Sequence, residues 1–489
     1  MATSATVLMN VLAPTAEFPA RILSENYTLG CIGCRLIWPI YSPDSGRVVC
    51  RGSASVEPMY TKILIATSVR WIATSRLAIA LADAGCAVEA VCPGDHSLRK
   101  IGAVERCHPY NALAPLRSLR HAIEHAVPDL VIPGDDRATE HLHLLYRHLL
   151  SGQPSGADPA ARRICAVIRR SLGAAADRRS VNARSDLISA ALEIGVRAPE
   201  TAVVATTDEL RSWLRDRGFP AVLKVDGTWG GSSVAVVRSL AQAERRFRAL
   251  AAAPGALRAI KRTIVDRDPH LILPWLQRAA PVVTVQRFVR GRDANAAVAC
   301  WEGEVLAGIN VLVLETTNTA GPATVVELID HPGMSQAVAQ LVRRLGLSGF
   351  CGFDFILDED AGAAHVIEMN LRSTQTGHLV LGPGRDLPGA LRARLAQLPP
   401  RQELAITDRR VIALFPGAWR KNPASAILQL GYHDVPWGEP GLLSAGFRPP
   451  SILSRTIAHW RSKLPPSEPS ALPEISAPPA NYREESATS

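Results

Sequence analysis

At 489 residues and 52.5 kDa, with 47% apolar and 20% charged side chains, the chain can bury a sizeable core and has room for about three structural units, which excludes a peptide-sized scaffold and a wholly disordered or fibrous chain. The net charge of +9 rests on 48 Arg and only six Lys, and residues 1–58 are neutral while 463–489 carry −2, so the positive excess belongs to the part between. A basic body of this kind steers polyanions such as nucleotides and would equally suit nucleic acid, whereas no run approaches the roughly 18 uninterrupted apolar residues of a membrane span.

Residues 1–58 show neither a helical nor a strand period and are interrupted by Pro14, Pro19, Pro39, Pro43 and Pro58, so a poorly ordered extension is expected. Its first basic residue, Arg21, follows the apolar stretch 7–12, which is not the charged start of a secretory signal. Nine cysteines without framework spacing fit free thiols, and a cytoplasmic location is expected. From Lys62 the pattern alternates: a strand over 61–67 (TKILIAT), a helix over 75–85, a strand over 87–91, a helix over 116–126, the strand 129–132 (DLVI) and a helix over 137–150. This predicts a small parallel, Rossmann-like domain over 59–150, with ligand-facing loops at the strand C-termini. Asp135 and Asp136 lie on such a loop, either as N-cap of the next helix or as a substrate contact.

Residues 151–180 read as a basic helical linker. Arg162/Arg163 and Arg169/Arg170 repeat at seven and share a helix face, and with no aromatic interleaved for base stacking a solvated or anion-steering face is expected rather than an RNA site. A mixed α+β domain is expected over 181–400. It holds a helix ending at Gly195-Val196, a hairpin built from 220–225 (PAVLKV), the loop 226–233 (DGTWGGSS) and 234–237, then strands over 282–289, 296–301, 304–313 and 352–357. Residues 401–462 read as an appended segment, and the Pro-, Ser- and Glu-rich 463–489 as a disordered tail.

Chemistry concentrates in residues 352–372, GFDFILDEDAGAAHVIEMNLR. If 358–363 turns, two strands pair and Asp354 comes close to Glu368 and Asn370, three hard oxygen donors of the type that suits Mg²⁺, with Arg372 beyond. Carboxylates on otherwise apolar strands are costly to bury without a cation. Lys224 precedes Gly227, Gly230 and Gly231, flanked by Thr228, Ser232 and Ser233; this is either a plain turn or a cradle for phosphate oxygens. In QRFVRGRD (286–293), a strand turning at glycine can present backbone groups to a purine, and Asp293 can accept from ribose hydroxyls. Neither a P-loop nor a dinucleotide fingerprint occurs.

Taken together, these residues resemble the ATP-grasp superfamily over 59–395. The resemblance implies two α+β lobes with ATP between them, preceded by a Rossmann-like domain that helps form the acceptor site. It implies Asp354, Glu368 and Asn370 as ligands of Mg²⁺, with Mn²⁺ as a substitute, and Arg372 as the phosphate-holding catalytic residue. Lys224 with the lid residues Gly230, Gly231 and Ser232 would face the phosphates, Gln286, Arg287, Phe288 and Val289 the adenine, and Asp293 the ribose. Arg184 stands where the family has its first nucleotide lysine, and Gln286 where many members have glutamate; arginine keeps the charge but not the shape, and an amide can still bond adenine. The implied activity is an ADP-forming ligase: ATP phosphorylates a small-molecule carboxylate and an amine attacks the acyl-phosphate. A phosphotransferase, a thiol ligase and a non-catalytic ATP-binding regulator are the alternatives. A homodimer is compatible with the resemblance, and neither a membrane nor a nucleic acid is an expected partner. Cys31-x-x-Cys34 has no second pair to complete a metal site; His121, His125, His141, His143 and His148 read as solvated helix faces, and His378 as a structural hydrogen bond or a substrate contact.

Overall fold

The computed structural model describes residues 61–151, 158–177, 184–225, 234–265, 268–317, 321–399 and 404–447, together with two short antiparallel strands, β1 (Ile40–Tyr41) and β2 (Val48–Val49), in a separate first unit. The cysteine pair 31/34 and the lid residues Gly230, Gly231 and Ser232 lie outside the described residues. Three sheets make up the second unit.

The first sheet is parallel, in the order β5-β4-β3-β6, from β3 (Thr61–Ala66), β4 (Cys86–Cys92), β5 (Arg106–Pro109) and β6 (Leu130–Pro133). Period-two alternation divides its apolar residues between two cores. Ile63, Ile65, Val88 and Ile132 meet the helix Ile72–Asp83, while Leu64, Val91 and Val131 meet the helices Pro115–Ala126, Asp136–Ser151 and Pro159–Leu172. The last of these corrects the expected linker. Ala161, Ile164, Ile168 and Leu172 bury one face of it, leaving Arg162, Arg163, Arg169 and Arg170 exposed. Its end docks closely: Gly173 has φ +67°, and a Cβ there would lie 2.1 Å from the Gly346 carbonyl oxygen. The histidines divide likewise. His121, His125 and His148 are exposed as expected, but His143 is buried, because its position falls on the core stripe of Asp136–Ser151.

Asp135 is the structural cap. Its Oδ1 accepts from Ala138 N at 2.9 Å, and its Oδ2 accepts from Ser68 N at 2.6 Å and Thr67 Oγ1 at 2.8 Å, tying the end of β3 to the start of the helix. Replacing Asp135 by alanine removes a cap and leaves buried donors unmatched, so a loss of about 2 to 4 kcal/mol is expected in urea unfolding. A change under about 0.5 kcal/mol, within the range of ordinary surface substitutions, would refute that structural role.

The second sheet is antiparallel, β7-β10-β8-β9, from β7 (Thr201–Val204), β8 (Ala221–Val225), β9 (Val234–Val237) and β10 (Val283–Arg287). Val204, Leu223, Val225, Val283 and Val285 pack one face against the helices Thr207–Arg217 and Leu240–Ala251. Lys224, Thr284 and Gln286 share the other face. A helical insertion including Ala256–Val265 precedes β10, and its Asp268 receives both terminal nitrogens of Arg137 at 2.8 and 2.9 Å.

The third sheet runs β15-β14-β11-β12-β13-β16-β17, from β11 (Gly291–Trp301), β12 (Glu304–Thr316), β13 (Ala323–Leu328), β14 (Gly349–Asp358), β15 (Ala364–Asn370), β16 (Val411–Leu414) and β17 (Tyr432–Asp434). Ala297, Ala299, Ile309 and Phe350 join the core that includes Ile63 and Ile65; Ala296, Val298, Phe353 and Phe355 face the helix Pro332–Leu345. Of residues 401–462, expected as an appended segment, the described part 404–447 supplies β16 and β17 to this sheet. Asp434, at the end of β17, is 1% exposed and lies 2.8 Å from His378 Nε2 while accepting from Arg76, so His378 has the structural role. Among the described residues no helix is long and apolar enough to cross a membrane.

Candidate active site

The turn expected at 358–363 closes β14 onto β15, with Asp354 opposite Glu368 and Gly352 opposite Asn370. A register shift after Asp354 reconciles two demands: Phe355 and Val366 both enter the core, while Asp354 and Glu368 both face away from it. Asn370 and Arg372 follow at period two on that second face. Gly352 belongs to it too, and there a Cβ would sit 2.1 Å from Thr374 Cγ2, so a larger residue would displace the Thr374 side chain in the loop that follows Arg372.

Asp354 is the centre of the cluster. Its Oδ1 accepts from Asn295 Nδ2 at 2.6 Å, and its Oδ2 faces Asn370 Nδ2 at 3.4 Å. Burial and the neighbouring carboxylate of Glu368 push its pKa up to about 7, against the opposing pull of Arg372 and the Asn295 hydrogen bond. Arg372 donates from Nη2 to Asn370 Oδ1 at 3.1 Å and from Nε to Asp136 Oδ1 at 2.8 Å, and its guanidinium lies 5.2 Å from the centre of the Trp71 ring. Burial works against the Arg372 charge, but Asp136, Asp354 and Asp135 together more than compensate and the pKa rises.

Sequence reasoning missed Asn295 and Trp71. Asn295 had a signal, since it stands two residues after Asp293 on the same strand face; Trp71 had none. Asp136, weighed as a cap or a substrate contact, instead anchors Arg372.

On the second sheet Lys224 is buried. Asp293, at the start of β11, opens to solvent within crowded surroundings that raise its pKa, and Lys224 draws it down. Gln286 is buried, and its Nε2 donates to Thr201 Oγ1 at 2.9 Å. Arg287 is exposed, and its backbone N–H donates to Glu200 O at 2.9 Å. Phe288 lines a cavity of about 270 Å³ with Pro220, Arg238 and Arg290; none of the acidic donors reaches it. Val289 is half-buried, and Arg184 opens the helix Arg184–Glu193. The structure thus brings Asp354, Glu368, Asn370 and Arg372 together and sets Lys224 near Asp293, while Phe288 lines a separate wall. Among the described residues no three His, Cys, Asp or Glu side chains gather around a metal position; the donor set here is two carboxylates and one amide.

No family model matches the chain. In sequence it is similar to the carbamoyl phosphate synthase large chain of Myxococcus xanthus, 26% identical over 216 residues, which are 43% of this chain and 18% of that protein. It is also similar to the N-terminal section of the Aquifex aeolicus large chain, 23% identical over 190 residues, 38% of this chain and 31% of that one. The chain therefore spans less than a third of either relative. This likeness accompanies a parallel-sheet domain, a four-stranded antiparallel lobe and a larger sheet whose edge hairpin carries the acid-amide set. This arrangement resembles that of the ATP-grasp superfamily. Among solved structures, the chain is similar to carboxyaminoimidazole ribonucleotide synthase from Aspergillus clavatus (13% identity, 70% of this chain and 78% of that one, TM-score 0.48). It is also similar to the L-amino acid ligase from Bacillus licheniformis (16% identity, 71% and 77%, TM-score 0.46). In this chain the oxygen donors belong to the large sheet, and Lys224 and Gln286 to the smaller antiparallel one.

Proposed function

We propose that the chain is an ADP-forming ligase that activates a small-molecule carboxylate as an acyl-phosphate for attack by an amine. The observation that carries this reading is the pairing of Asp354 with Glu368 beside Asn370 and Arg372. Two half-buried carboxylates side by side, one with its pKa pushed up to about 7, form a site whose repulsion a divalent cation would relieve, and an all-oxygen donor set suits Mg²⁺. When bound, Mg²⁺ would neutralise and orient the transferring phosphoryl group. The likeness to carbamoyl phosphate synthase large chains supports the same reading.

In this reading Lys224 holds the nucleotide phosphates from the smaller lobe, with Gly230, Gly231 and Ser232 over them, Arg184 adding a second cation and Asp293 receiving the ribose. The hinge 286–289 holds the base. Arg372, fixed by Asp136 and Asn370, steadies the phosphoryl group as it passes from ATP to the carboxylate oxygen. The amine nitrogen then bonds to the acyl carbon and the carbon–oxygen bond to phosphate breaks, which needs alignment and charge neutralisation more than a protein nucleophile.

Mg²⁺-dependent ADP release, screened over pairs of small carboxylates and amines, tests the proposal. Release that requires both substrates is expected. ADP release with a carboxylate and a thiol, or with a single phosphate acceptor, would redirect it to the corresponding ligase or kinase, and ATP binding without turnover on any mixture would replace the enzyme with a regulator.

A further inference from the structure

We infer that Thr201 is a positioning residue that sets the base preference of the nucleotide site by fixing which way the Gln286 amide faces; this rests on the ATP site proposed above. Gln286 is only 2% exposed and shares a sheet face with Lys224 and Thr284, the face turned away from the apolar core of its lobe. Thr201 stands directly opposite it in the β7–β10 register. A threonine hydroxyl has one hydrogen, and Thr201 Oγ1 gives it to Pro199 O at 3.0 Å. Toward Gln286 the hydroxyl can therefore only accept, which requires the amide nitrogen at that position, 2.9 Å away. Gln286 Oε1 is left as the free end. It accepts no hydrogen bond from any described residue, yet it is not among the sealed, unmatched polar atoms, so it keeps contact with solvent.

The relay from Pro199 through Thr201 to Gln286 thus presents an acceptor and withholds a donor. An acceptor there matches a base carrying an exocyclic amine and opposes one carrying a carbonyl at the same position, where two lone pairs would meet. Without the Thr201 hydroxyl the amide could turn over and offer its nitrogen, and the distinction would weaken. Strand β7 lies at the sheet edge and valine suits strands, so Thr201→Val should fold.

The test measures binding of Mg·ATP and of Mg·ITP, which replaces the amine of the base with a carbonyl, to the full chain by calorimetry. The native chain should favour ATP by roughly tenfold to a hundredfold, the equivalent of about one or two lost hydrogen bonds. In Thr201→Val the ratio should fall toward one, mostly because ITP binds more tightly, and Thr201→Ser, which keeps the hydroxyl, should restore it. A carboxylate accepts whichever way it turns, so adding Gln286→Glu to Thr201→Val should also restore the preference for ATP. An unchanged ratio in Thr201→Val, or no restoration by either rescue, overturns the inference while leaving the ATP site standing. A native chain that binds neither nucleotide overturns the ATP site itself.

Discussion

Replacing Glu368 by glutamine should lower Mg²⁺-dependent ADP release by about a thousandfold or more, the scale on which a lost group that meets transition-state charge is felt. The same change should leave the metal-free fold as stable as before, or more so. Glu368 faces Asp354 across the β14–β15 pair and raises its pKa, so the two charges oppose each other in the absence of a cation. Removing one relieves that repulsion. A residue retained for folding would behave in the opposite way, losing stability on substitution. The check is a pair of measurements on one variant, turnover with Mg²⁺ and thermal unfolding without it. Undiminished turnover would take the hairpin out of the reaction, and a collapsed fold would make Glu368 a structural residue.

The largest stability effect is expected at Asp434, far along the chain from the donor hairpin. Its carboxylate is held by Arg76 and by His378 Nε2 at 2.8 Å, and it is 1% exposed. Arg76 Nε and His378 Nδ1 already lack partners, so Asp434→Ala would leave a largely enclosed guanidinium without its ion-pair carboxylate. Breaking a buried ion pair from one side costs about 3 to 5 kcal/mol. Burial alone would raise the Asp434 pKa, but His378 and Arg76 depress it below the ordinary carboxylate value. Its contribution is therefore complete above the unfolded-chain value of about 4 and is lost only as the pH falls through the depressed folded-state value. Urea unfolding near neutral pH measures the effect, and a loss below about 1 kcal/mol would show that the network adds little.

Local order along the chain was legible where side-chain period and turn chemistry agree. The alternation from Lys62 onward gave the parallel sheet, and the turn at 358–363 gave the donor hairpin, because one strand face must stay apolar. Register shifts were not legible. The shift beside Asp354 depends on how Val366 and Met369 both reach one core, which a strict period of two does not express. The linker over 151–180 was misread because paired arginines dominate its composition, while the four residues that bury it are spread three or four apart. Strands β16 and β17 are too short to stand out as pattern and owe their form to the sheet they extend. Of the site, the ionisable residues were readable by type. Asn295 and Thr201 act by orienting other side chains, and such roles exist only once the strands are paired.

Two neighbouring residues at the opening of the helix Asp136–Ser151 reach in different directions: Asp136 to Arg372, and Arg137 to Asp268 on the helical insertion. The parallel-sheet domain is therefore no optional accessory to the part that carries the donor hairpin. Cutting it away would take Asp136 from the hairpin arginine and Arg137 from the insertion aspartate in one step. A chimaera that exchanges this domain for a foreign one must carry the Asp-Arg dipeptide at the same turn.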